Sequence, residues 1–143
     1  MNRLLVVCVG NICRSPLAER LLRDLLPPTY TVDSAGIGAL LGKPADDVMS
    51  EVAAENGVSL EGHVAQQFTT ALAEVYDLIL PMEPGHRREI IRMVPHFSGR
   101  VMLFDRWVGG TGIVDPYQKP KPFHESTFKE VYAAAAAWAQ KLK

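Results

Sequence analysis

Apolar and polar positions fall into blocks whose period switches along the chain. Leu4-Leu5-Val6-Val7 is an unbroken, partly β-branched run, the pattern of a strand buried on both faces of a parallel sheet. Leu17, Leu21, Leu22 and Leu25 then recur at helical spacing with Glu19, Arg20, Arg23 and Asp24 between them, and Pro27-Pro28 stops that helix. Tyr30 to Ser34 reads as a second strand, followed by a bend at Gly36 and Gly38. Asp46 to Asn56 forms a helical pattern through Val48, Val52 and Ala53, with Asn56-Gly57 as a left-handed cap. Thr69 or Thr70 caps a short helix, and Tyr76 to Leu80 is a third strand. The helix opened by Glu83-Pro84 turns Ile90, Ile91 and Val94 inward. Its Arg87, Arg88 and Arg92 form either a solvated face or a surface for an acidic partner. Arg100 to Phe104 is the fourth strand. A closing helix follows from the capping-box spacing Thr127 to Glu130, with Phe128, Val131, Tyr132, Ala135, Ala139 and Leu142 on one face.

Strands alternating with helices predict an α/β fold, a three-layer sandwich in which helices cover both faces of a four-stranded parallel sheet. The 143 residues, 48% of them apolar, suffice for a single domain over the whole chain. A net charge of −1 carries neither a nucleic-acid footprint nor a patch for membrane insertion. Two cysteines and four histidines at these spacings do not spell a zinc site. Only seven residues precede Cys8 and no apolar stretch approaches membrane-spanning length, so a cytoplasmic protein without a signal peptide is expected.

The chemistry concentrates where the first strand meets the first helix. Cys8 sits at the strand's carboxyl end, the edge at which ligands bind in open α/β sheets. Ser15 is a suitable N-cap and Pro16 a suitable first helical residue, which places the helix start just after Arg14. The segment Val9-Gly10-Asn11-Ile12-Cys13 between them can turn its N–H groups inward around a tetrahedral anion. Gly10 permits the positive φ such a nest needs, and Asn11 tolerates it better than most residues. The same dipoles favour a thiolate, and the Arg14 fork binds two equatorial phosphate oxygens. Cys13 reads either as a redox partner of Cys8 or as a packed thiol.

Cys8-x5-Arg14-Ser15-Pro16, with Gly10-Asn11 inside it and Leu17-Ala18-Glu19 after it, resembles the signature of the low-molecular-weight protein tyrosine phosphatases. The likeness continues along nearly the whole chain and is greatest to the bacterial enzymes paired with autophosphorylating tyrosine kinases of capsule and exopolysaccharide export. It implies a phosphate-binding loop over Val9 to Ser15, with Cys8 as nucleophile, Arg14 as anion clamp and Asp115 as general acid. No metal or other cofactor is implied. Asp115-Pro116-Tyr117 lies in the aperiodic stretch from Asp105 to about Pro122, the kind of long loop that tends to be functional. Tyr117 would wall the substrate ring. The resemblance also assigns supporting roles to Ser34, as a partner of Asn11, and to His63. Leu40 and Leu41, apolar residues between glycines, read equally as a substrate rim or as core residues.

The implied partner is a phosphotyrosine protein, such as the tyrosine autokinase of a polysaccharide-export system. Three features depart from the family pattern: Asp47 where proline is frequent, Gln66 where arginine is usual, and Gln118 where a second aromatic often stands. Three other functions compete with this reading. A thiol-dependent arsenate reductase would need downstream cysteines, and none follows Cys13. A protein-arginine phosphatase typically has threonine in place of Ile12. A non-catalytic phosphate-binding module would be expected to lack the nucleophile, the arginine or the acid. A Walker-type loop is excluded by the missing glycine-lysine pair.

Overall fold

A computed structural model describes residues 2–142. In chain order the elements are β1 (Arg3–Cys8), α1 (Arg14–Leu25), β2 (Thr31–Gly36), α2 (Asp47–Glu55), α3 (Thr70–Ala73), β3 (Leu78–Pro81), α4 (Pro84–Met93), a 3-10 helix (Pro95–Arg100) and α5 (Lys121–Leu142). β1 lies between β2 and β3, and both pairings are parallel, Leu4 opposite Val32 on one side and Leu78 on the other. Successive residues of a strand face opposite ways. Leu4, Val6 and Cys8 accordingly join a core with Leu17 of α1, Val52 of α2 and Trp138 of α5. Leu5 and Val7 join a second core with Ile90 of α4, Phe68 and Phe97. Burying each such aliphatic side chain is worth about 1.5–3 kcal/mol. The carboxyl end of β1 is therefore held from both faces.

Arg100 to Phe104, expected as a fourth strand, contributes a single parallel bridge between Val101 and Ile79, so the sheet has three strands among the described residues. The segment is pinched between the 3-10 helix and a turn in which the Arg106 N–H donates to the Leu103 carbonyl. Met102 and Phe104 still donate to Ile79 and Pro81 at 3.0 and 2.8 Å, but the run is too short for a ladder. The last helix also starts earlier than its capping-box spacing suggested. Lys121 in its first turn reaches Glu51 and Glu55 of α2, at 2.9 and 2.8 Å. Thr127 lies inside the helix, and Tyr132 is exposed rather than in the core. Arg87 is not a purely solvated residue, because its Nε donates to the Val101 carbonyl at 2.9 Å. The caps of α2 and α3 follow their sequences, with Asp46 accepting from the Met49 N–H and Thr69 from the Leu72 N–H.

β2 positions the loop after β1 through its last residue. Gly36 pairs with Cys8, and a Cβ built there would lie 2.2 Å from the Val9 carbonyl oxygen and 3.0 Å from the Asn11 nitrogen. Beyond it, the N–H groups of Ile37, Gly38 and Leu40 donate to the carbonyls of Cys8, Val9 and Gly10, each at 3.0 Å. The loop is thus laced to the chain that follows β2. Gly36→Ala is expected to cost about 3 kcal/mol, the upper range for overpacking against backbone. Urea denaturation checks this, and a variant as stable as the parent would show that the loop yields freely.

Candidate active site

Asn11 is the residue around which the loop closes. It adopts φ 57° and is fully buried. Gly10, the expected position for a left-handed turn, is not among the residues of positive φ. The Asn11 side chain is satisfied on both ends. Its Nδ2 donates to Ser15 Oγ at 2.8 Å and Ser34 Oγ at 3.0 Å, and its Oδ1 accepts the Gln66 N–H at 2.9 Å. His63 Nε2 donates to the Asn11 carbonyl at 2.6 Å. The Ser34 hydroxyl in turn donates to Glu19 Oε1 at 3.0 Å, and Gln66 Nε2 donates to the Ser34 carbonyl. Where arginine was the usual residue, the Gln66 amide thus makes a neutral tie to β2.

With its carbonyls taken, the loop leaves its donors free. The N–H groups of Val9, Gly10, Asn11, Ile12 and Cys13 find no protein acceptor among the described residues. α1 begins at Arg14, two residues before the predicted first helical residue Pro16, with Cys13 rather than Ser15 at the cap position and no side-chain cap. Ser15 does not cap because its hydroxyl is used elsewhere. It accepts from Asn11 and lies 2.9 Å from Cys8 Sγ, placed to donate to a thiolate. Pro16 fits the first turn, where no helical acceptor exists for an N–H.

Arg14 is 1% exposed, so its charge must be matched within the protein. Nη1 donates to Glu83 Oε2 and to the Ile113 carbonyl, both at 2.6 Å, while Nη2 lies 3.5 Å from Asp115 Oδ2. The guanidinium joins the start of α4 to the long loop before α5. His86 Nε2 lies 3.5 Å from the same Glu83 oxygen, and burial holds its imidazole below the ordinary value against the pull of that carboxylate. Asp115 Oδ1 accepts the Tyr117 N–H at 3.0 Å, closing the small turn expected at Asp115-Pro116. Gly112 N–H donates to Asp105 Oδ2, anchoring the base of this loop.

These groups border one cavity of about 140 Å³, lined by Cys8, Val9, Gly10, Ile12, Cys13, Arg14, Gly38, Leu40, Asp115 and Tyr117. Leu41 is not among the residues that line it and, at 71% exposed, is not a core residue. Ser34 and His63 lie behind the loop, as its supports. Both cysteines are free thiols, but their surroundings differ. Burial, reinforced by the nearby Asp46 carboxylate, pushes the Cys13 thiol far above the ordinary range.

Residues 3–143 match the family described as low molecular weight phosphotyrosine protein phosphatase. The chain belongs to that family. It is an enzyme of the protein-tyrosine-phosphatase class. The low molecular weight protein-tyrosine-phosphatase Wzb of Escherichia coli K12 is 48% identical over 141 residues, spanning 99% of this chain and 95% of the relative. The solved structure of Vibrio vulnificus Wzb with benzylphosphonate superposes with a TM-score of 0.94 at 49% identity, covering 98% of each chain. That of Wzb from E. coli K30 with sulphate gives 0.96 at 44% identity, covering 99% of each. No helix among the described residues is long and apolar enough to cross a membrane.

Within this phosphatase fold, the sequence reading missed three residues that shape the site. Glu83, read only as a helix opener, holds Arg14 from 69 positions away. Its one sequence signal is its place directly after the carboxyl end of β3. Glu19 looked like a polar residue between leucines but is buried against Ser34. Gln66, read only as a departure from the family's arginine, holds both Asn11 and β2. Replacing Asn11 tests the hub and its backbone separately, since Asn11→Ala and Asn11→Gly lose the same side-chain bonds while only glycine keeps φ 57° without strain. Asn11→Ala is expected to be less stable than Asn11→Gly by about 1 kcal/mol, read from denaturation midpoints at equal slope. Equal midpoints would mean that the turn stores no strain.

Proposed function

We propose that this phosphatase hydrolyses phosphotyrosine through a cysteinyl-phosphate formed on Cys8. The observation that carries the reading is the gathering of Cys8, the unpaired loop N–H groups, Arg14 and Asp115 on one small cavity. Free N–H groups at a helix start bind a tetrahedral anion, and the buried Arg14 fork holds two of its equatorial oxygens as charge shifts toward the transition state. Cys8 attacks phosphorus in line while Asp115 donates its proton to the leaving phenolate. Water then attacks the phosphoenzyme with Asp115 as base, and the Ser15 hydroxyl, 2.9 Å from the sulfur, stabilises the departing thiolate. Tyr117 and Leu40 flank the mouth and pack against the aromatic ring. The benzylphosphonate and sulphate held by the Wzb structures support an aryl group and a tetrahedral anion as the matching ligand.

The natural substrate in this reading is a phosphotyrosine protein in the cytoplasm, the tyrosine autokinase of a capsule or exopolysaccharide export system. The whole-chain similarity to Wzb supports that partner.

Cys8→Ser is expected to lower turnover of an aryl phosphate by at least about 10³-fold while phosphate still binds. Acid quench of the parent should trap phosphate on Cys8, and its absence during turnover would overturn the covalent mechanism. Asp115→Asn is expected to slow phosphoenzyme formation by about 10²–10⁴-fold for a poor leaving group and much less for a good one. A leaving-group dependence equal to that of the parent would remove Asp115 from the acid role.

A further inference from the structure

Behind the wall formed by Ile12 and Cys13, three side chains from distant parts of the chain converge. Cys13 Sγ, an Asp46 carboxylate oxygen and a ring nitrogen of His124 all lie within 4.8 Å of one another. They come from the cap of α1, the cap of α2 and the first turn of α5. The His124 side chain is 1% exposed, and its Nε2 has no hydrogen-bond partner. Its Nδ1 faces the Pro120 carbonyl at 3.4 Å, and a carbonyl can only accept. A hydrogen on Nδ1 directed at that carbonyl leaves the Nε2 lone pair free, the state in which imidazole binds a metal while a backbone carbonyl orients the ring. That lone pair points at Asp46 Oδ2, another acceptor, across 3.3 Å. A proton would satisfy this pair alone. A cation would engage the adjacent thiol as well.

We propose that Cys13, Asp46 and His124 form a binding site for a thiophilic divalent cation of the zinc class. One sulfur, one imidazole nitrogen and one carboxylate oxygen are a zinc donor set, and ligands bound at about 2.0–2.3 Å in a tetrahedron stand about 3.3–3.8 Å apart. The gap between Nε2 and Oδ2 already has this length. On binding, the Cys13 thiol releases its proton to solvent, and thiolate and carboxylate together neutralise the ion. The frame is preset, because the Asp46 N–H donates to the Ile12 carbonyl at 2.7 Å and its Oδ2 accepts from Met49. Ligands at positions 13, 46 and 124 lack the short spacing by which zinc sites are read from sequence.

The test uses the full chain carrying Cys8→Ser, in which Cys13 is the sole remaining thiol. Titration with cobalt(II) is expected to raise a thiolate-to-cobalt charge-transfer band that saturates at one equivalent and is bleached by zinc. Adding Cys13→Ser should abolish the band, and adding His124→Gln should weaken binding at least about tenfold. Circular dichroism verifies the fold of each variant. A Cys8→Ser chain that gives no band overturns the proposal, as does a folded His124→Gln variant that binds cobalt as tightly as its parent. Either result would assign the Nε2 to Oδ2 contact to a proton.

Discussion

The buried amide of Asn11 is the contact on which the rest of the site depends. A loop that must leave its N–H groups free for an anion cannot hold itself together with those same donors. Its stability must come from side chains and carbonyls. Asn11 supplies both, tying the loop to α1 through Ser15, to β2 through Ser34 and to the following segment through Gln66 and His63. The bonds to Ser15, Ser34 and His63 are buried, so each lost partner there would leave a desolvated polar group costing about 1–3 kcal/mol. The layout also explains why Gly36 closes β2, since the Val9 carbonyl occupies the space a side chain would need.

The second constraint is a guanidinium without water. Arg14 begins α1 with its charge enclosed, and its Nη1 donates to both Glu83 and the Ile113 carbonyl. A planar fork held at one nitrogen by two acceptors keeps its remaining N–H groups in a fixed direction, so little side-chain entropy remains to be lost on meeting an anion. The strand ends beside it are packed on both faces, with Cys8 and Leu80 in one core and Val7 and Ile79 in the other.

Most of the architecture was legible because it rests on local pattern. The continuous apolar run of β1, the leucine spacing of α1 and the Asp46 and Thr69 caps all act over a few residues, and the structure keeps them. The stretch from Arg100 to Phe104 has a strand's composition, but its length of pairing is limited by turns on either side, which composition does not encode. Ser15 has a cap's chemistry, yet Asn11 and Cys8 compete for its hydroxyl and win it. For the site, the resemblance of the Cys8 to Pro16 segment carried the reading, and proximity in the chain made it possible. Glu83, Glu19 and Gln66 reach partners 69, 15 and 32 positions away, and only Glu83 carries a sequence signal, its place just past the carboxyl end of β3.

Arg14 touches both the ion-pair partner at the start of α4 and the loop bearing Asp115, at 2.6 and 3.5 Å. One side chain therefore serves as ligand clamp and loop tether together. Groups that share such a contact do not contribute separable increments. A double-mutant cycle between Arg14 and Asp115 would thus contain a coupling energy of its own, and removing either group also changes the setting in which the other is measured.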